Sequence, residues 1–188
     1  LEFRRVLFRS YVAKGGERVP CTRQILVNDL LNMTSGLVYP DEGTEAGRAA
    51  DKVFGEACSR LHGESPMTTR ELADKLAACP LDFEPGSSWT YGASADVLGA
   101  VIEVVSGKRL SEFMKEEIFE PLGMKDTAFW VPKEKQGRLA KSYETVEKEN
   151  GGKELVLYTG DNLAVRNDMA VPPAYEAGGA GLDRKSVV

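Results

Sequence analysis

A serine becomes a nucleophile only when a base sits within hydrogen-bond reach of its hydroxyl, and the spacings that supply one can be searched for directly. No serine has a lysine three residues later, so the S-x-x-K pairing, which sets both side chains on one helix face, is absent from these 188 residues. No serine stands in G-x-S-x-G, and the one histidine, His62, precedes Gly63 where a helix should end. A Ser-His-Asp hydrolase is therefore unsupported, as are zinc proteases, P-loop enzymes and dinucleotide binders, whose H-E-x-x-H, G-x-x-x-x-G-K-[ST] and strand-linked G-x-G-x-x-G motifs do not occur. Glu116 and Glu117 adjoin in sequence and so diverge on a helix, which makes them a solvated face and not an acid–base pair. Cys21, Cys58 and Cys79 are odd in number and widely spaced, fitting neither a disulfide framework nor a C-x-x-C site. They read as three buried thiols in a reducing compartment, and no metal or cofactor is expected. Ser35, in Thr34-Ser35-Gly36, follows a short helix without a lysine partner and reads as a turn or cap residue. There remains Tyr91, a phenol of pKa about 10 in water that a neighbouring ammonium would turn into a proton relay. Its plainer alternative is a core aromatic beside Trp89 with a satisfied hydroxyl.

These residues must be held by elements whose periods are legible. Val27, Leu30, Leu31 and Met33 predict a helix of about two turns, introduced by Asn28 and Asp29 and stopped by Thr34-Ser35-Gly36. A second amphipathic helix runs from Thr44 to Leu61, with Ala46, Ala50, Val53, Phe54 and Ala57 on one side and Gly63 and Pro66 beyond it. Thr68, three residues before Glu71, forms a capping-box start for a third helix that ends near Ala78, before Pro80. Ser94 is the expected N-cap of a fourth, whose Val97, Leu98, Val101, Ile102, Val104 and Val105 form a wide apolar face closed by Gly107. Gly99 and Ala100 within it would let another backbone approach. Ser111 opens a fifth, through Phe113, Met114, Ile118 and Phe119 to Pro121. Beyond it the period becomes two: Leu139–Val146 and Glu154–Tyr158 flank Asn150-Gly151-Gly152, a hairpin signal. Helices first and strands late predict an α/β (α+β) arrangement, a helical subdomain packed against or inserted in a sheet.

The chain is 42% hydrophobic and 28% charged, the balance of a globular protein. Its net charge of −5 provides no basic surplus for nucleic acid, and no apolar run approaches a membrane span.

Three blocks are informative together: Leu30-Leu-Asn-Met-Thr-Ser-Gly-Leu37; Pro85 through Trp89-Thr-Tyr91-Gly-Ala-Ser-Ala-Asp to Gly107; and Ile118-Phe-Glu-Pro-Leu-Gly-Met-Lys-Asp-Thr127. In their order and spacing the chain resembles the serine β-lactamase-like superfamily, in the branch with class C β-lactamases, D-alanyl-D-alanine carboxypeptidases and family VIII carboxylesterases. The resemblance implies a β-lactamase/transpeptidase-like fold, of which this chain covers mainly the helical subdomain and the start of the returning sheet. It also implies a nucleophilic serine and its lysine upstream of Leu30, and a K-x-G, H-x-G or W-x-G strand after Ala177-Gly-Gly-Ala-Gly-Leu182. The family's tyrosine aligns on Tyr91, the one catalytic residue expected within this chain, and the substrates expected are small esters or amides. Many relatives read Tyr-x-Asn where this chain has Tyr91-Gly92-Ala93. Ala93 has no side-chain amide to hold an acylamino group, which leans the reading toward a carboxylesterase and away from β-lactams and peptides. A binding module that keeps the fold without catalysis is the remaining alternative.

Leu1–Ser10 and Asp183–Val188 resemble the translations of paired sequencing-library adapters. On that expectation residues 11–182 are an internal fragment of a longer hydrolase domain, inactive alone. Removing both ends leaves 19 basic and 27 acidic residues and a net charge of −8.

Overall fold

The structure is a computed structural model that describes residues 10–149, 151–160, 163, 167 and 169–184. It opens on an antiparallel hairpin, β1 (Tyr11–Lys14) and β2 (Glu17–Pro20), with Val12 opposite Val19. Gly15 and Gly16 turn it with φ of 61° and 85°, a left-handed geometry that costs glycine nothing. This hairpin departs from the expectation of helices first. Its Gly-Gly pair between two four-residue runs is the local signal for it. Val12 is buried and bridges in parallel to Leu81, tying the hairpin to the helices.

Five helices follow: α1 (Val27–Leu31), α2 (Glu45–Ser59), α3 (Thr69–Ala77), α4 (Ser94–Ser106) and α5 (Leu110–Met114), which continues as a π-helical turn over Lys115–Phe119. Two starts and one stop follow local chemistry as expected. The Thr44 hydroxyl accepts from Gly47 N at 2.9 Å and Thr68 accepts from Glu71 N at 3.2 Å, each satisfying an amide that the helix leaves unpaired. Gly107, at φ 71°, closes α4 and donates to the Glu103 carbonyl at 3.0 Å. Thr68→Ala should cost about 1 kcal/mol and lower the thermal midpoint of the chain by roughly 2–4 °C, measurable by circular dichroism.

Two serines expected at helix starts are used differently. Ala93, not Ser94, occupies the cap position of α4, and Ser94 is the first helical residue with its side chain in the core. Helix α5 begins one residue before Ser111; there the Arg109 N–H is met by Glu112 Oε2 at 3.1 Å, while the Ser111 N–H and hydroxyl donate to Glu176 at 2.6 and 2.8 Å. In both places the hydroxyl found a distant partner better placed than the local amide.

Helix α4 is the centre of the helical layer, packed against α1, α3 and α5. Its buried side is made by Ser94, Asp96, Val97, Gly99 and Ala100; of the apolar face read from the sequence, Val97 is in the core, Leu98 and Val101 pack against it half-buried, and Val105 is exposed. Small residues win because they admit neighbours: a Cβ on Gly99 would lie 2.9 Å from the Leu110 side chain. Leu30, Leu37, Ala50, Leu72, Leu76 and Leu81 complete the core. The segment around Tyr175–Gly179 is laid over it and held by Glu176, whose buried carboxylate takes Ser111 and an ion pair with Arg109 at 2.6 Å.

Among the described residues the strands form three separate antiparallel pairs: β1–β2, β3 (Thr127–Ala128) with β6 (Asp183–Arg184), and β4 (Tyr143–Glu147) with β5 (Lys153–Leu157). The expected late hairpin is the last of these. Its first strand starts at Tyr143, four residues later than read, its second runs one residue earlier at the length read, and Asn150 lies outside the described residues. A helical layer with small antiparallel pairs is an α+β architecture. No helix among the described residues is long and apolar enough to cross a membrane.

Candidate active site

The first two sequence blocks, some fifty residues apart, form one structure. Thr90 N donates to the Met33 carbonyl at 3.1 Å, Gly86 N to Thr34 O at 2.7 Å, and Asp82 N to Gly36 O at 2.9 Å. Met33 itself takes a φ of 58°, the left-handed region that a non-glycine side chain occupies only under constraint. Beneath this seam the Ser35 and Ser94 hydroxyls meet at 2.8 Å, both buried, and Leu37 N donates to Ser35 Oγ at 3.1 Å. Ser35 is thus a turn residue with its oxygen committed inward, as its sequence context implied.

Gly92 is where the blocks come closest. A Cβ there would lie 2.2 Å from the Leu37 carbonyl oxygen and 2.8 Å from the Val38 Cα, both backbone atoms that no rotamer change can move. Gly92→Ala should therefore destabilise the chain by about 1–3 kcal/mol, read as a drop in its thermal midpoint. At the other end of the seam, buried Asp29 accepts from Arg23 Nη1 and Nη2, both at 2.8 Å, from Leu26 N at 2.8 Å and from Thr34 Oγ1 at 3.2 Å. The Arg23 guanidinium holds this carboxyl below the ordinary aspartate range. The same guanidinium fills the space a side chain at Gly86 would need, so one arginine braces both blocks.

Tyr91 emerges from the seam onto the surface. It is 62% exposed, so the core-aromatic alternative does not describe it, and Trp89 beside it is 64% exposed. Its ring lies 5.5 Å, centroid to centroid, from that of Tyr39, tilted by 56°. The Tyr39 hydroxyl donates to Asp96 Oδ2 at 2.8 Å; Asp96 is 2% exposed and also receives the Tyr175 hydroxyl and Gly179 N at 3.3 Å. Burial first, then the Asp96 charge, pushes both phenols above the ordinary tyrosine range, which keeps them protonated as donors. Sequence reasoning missed Tyr39 and Asp96. The one signal available was an acidic residue in the first turn of an otherwise apolar helix.

The remaining candidates lie apart. His62 is exposed beyond the end of α2, and Glu116 and Glu117 are exposed on the π-helical turn. None of the three cysteines is in a disulfide and each is half-buried, not fully buried; burial, with Glu84 adding to it, pushes the Cys21 thiol up to about 11, far from a thiolate nucleophile. A cavity of 490 Å³, lined by Phe119, Met124, Trp130, Val131 and Leu139 among others, does not include Tyr91.

The β-lactamase family model matches residues 11–182, and the chain belongs to that family. Esterase EstB of Burkholderia gladioli is 35% identical over 183 residues, covering 93% of this chain and 44% of the relative. Protein Rv1367c of Mycobacterium tuberculosis is 30% identical over 169 residues, covering 87% and 36% respectively. The solved structure of EstCE1, a hydrolase with promiscuous acyltransferase activity, superposes with a TM-score of 0.66 at 25% identity, over 96% of this chain and 46% of its own. The chain thus spans less than half the length of each, and its fold is the β-lactamase/transpeptidase-like one expected from the three blocks.

Proposed function

We propose that residues 11–182 are a segment of a longer serine hydrolase that cleaves small carboxylic esters through an acyl-enzyme, with Tyr91 as its proton relay. The observation that carries the reading is the exposed Tyr91 phenol, delivered to the surface by the close joining of residues 33–37 to 86–92. In the reaction a serine Oγ from outside this chain attacks the ester carbonyl as Tyr91, in its phenolate form beside a lysine ammonium, takes the serine proton. Collapse of the tetrahedral species expels the alcohol, which receives that proton from Tyr91, and water then releases the acid by the same relay. Both the serine and the lysine are the missing S-x-x-K pair.

Esters are favoured over β-lactams and peptides by Ala93. It is buried in the cap position of α4, and its methyl lacks the side-chain amide that the Tyr-x-Asn pattern of many relatives supplies. The relationship to EstB, an esterase by name, points the same way. The test is to assay the longer protein on p-nitrophenyl acetate and butyrate, on nitrocefin and on a D-Ala-D-Ala peptide. Esters should be turned over with kcat/KM well above the other two. Faster turnover of nitrocefin or the peptide, or an upstream sequence without S-x-x-K, overturns the reading.

A further inference from the structure

A proton relay must be held as well as placed. A phenol as exposed as Tyr91 has free rotation about χ1 and χ2 unless a neighbour restrains it, and proton transfer requires hydrogen-bond reach of the reacting atoms. The restraint on the page is Tyr39. Its ring lies 5.5 Å from that of Tyr91, tilted, and 5.7 Å from that of Phe54 of α2, edge-on. Its hydroxyl is fixed by the buried Asp96 carboxylate at 2.8 Å, and a Cβ on Gly179 would lie 2.3 Å from that oxygen, so the glycine leaves the room the phenol occupies. A carboxylate this deeply buried requires donors, and Asp96 finds them in two phenols and a main-chain amide, which makes it an immobile anchor.

We propose that Tyr39 is a positioning residue for Tyr91: anchored through its hydroxyl on Asp96, it presents the ring face that holds the Tyr91 phenol in one orientation. The inference rests on the reading of Tyr91 as the relay. Tyr39 touches neither substrate nor reacting atoms in this scheme; it acts through the ring beside it.

Three variants separate positioning from general stability. Tyr39→Leu removes the ring, Tyr39→Phe keeps the ring but not its anchor, and Ser111→Ala removes a buried hydrogen bond to Glu176 that is no part of this contact. In the longer protein, Tyr39→Leu should lower kcat on p-nitrophenyl acetate about 10–100-fold with KM within twofold, since small misplacement of a catalytic group carries losses of that size. Tyr39→Phe should lie between it and wild type. Ser111→Ala should lower the thermal midpoint while leaving kcat within twofold. In the 188-residue chain with ring-labelled tyrosine, the Tyr91 resonances, assigned with Tyr91→Phe, should move toward those of a freely rotating tyrosine in Tyr39→Leu, which removes the neighbouring ring, and stay put in Ser111→Ala. Unmoved Tyr91 resonances, or a kcat that falls no further in Tyr39→Leu than in Ser111→Ala, overturn the positioning role while leaving the relay intact. Wild-type kcat in Tyr91→Phe overturns the relay, and the positioning role with it.

Discussion

Tyr91→Phe in the longer protein is expected to lower the acylation rate about 10²–10⁴-fold, the range that a positioned proton-transfer group contributes. The substitution removes one oxygen from a side chain that is largely in solvent, so no buried group loses its partner and the folded chain should keep its thermal midpoint. That separation of effects is what makes the variant informative. Pre-steady-state release of p-nitrophenol measures acylation directly, and KM should move little, because the hydroxyl works in the transition state and not in ground-state binding. A loss of less than twofold in the burst rate would assign Tyr91 to the surface and the proton transfer to another group.

The second large effect belongs to the 188-residue chain itself, which should take up no serine-directed fluorophosphonate beyond the level of its heat-denatured control. None of its serines has a lysine three residues on, and the two that lie beneath the Tyr91 seam, Ser35 and Ser94, are buried with their hydroxyls bonded to each other at 2.8 Å. Such a pair has no base to remove its proton and no path for a reagent. Labelling that depends on the folded state would place a nucleophile within these residues and move the reaction away from the S-x-x-K scheme. Mass spectrometry of the labelled peptide would say which serine it is.

What the sequence disclosed, and what it hid, divides by distance along the chain. Thr68 and Gly107 were legible because a cap is set between residues three or four apart, and the β4–β5 hairpin because turn chemistry is equally local. Ser94 and Ser111 were misread for the converse reason. Each has a hydroxyl suited to a local amide, but their real partners, Ser35 and Glu176, are 59 and 65 residues away, and nothing in the neighbouring residues announces them. The same holds for the site. Tyr91 is singled out only by three blocks whose combined order is specific, and the fold they implied is the one observed. Tyr39 and Asp96, 57 residues apart, meet only once the helices have packed, so no periodicity points to either. The Gly15-Gly16 hairpin is the exception: its signal is local, a glycine pair between two four-residue strands, yet the sequence expectation of helices first does not contain it.

The seam also orders events during folding. Residues 33–37 cannot meet 86–92 until the chain between them has been drawn together, and closing a flexible loop of that length carries an entropy cost that grows with the logarithm of its span. Helices α2 and α3 lie within that loop and shorten it as they form, so the joining of the two blocks is helped by the local structure between them. The surface that presents Tyr91 thus depends on the packing of the helices inside the loop, and a lesion in the α3 core, at Leu72 or Leu76, would be felt at Tyr91 as a site assembled less often, not as one assembled wrongly.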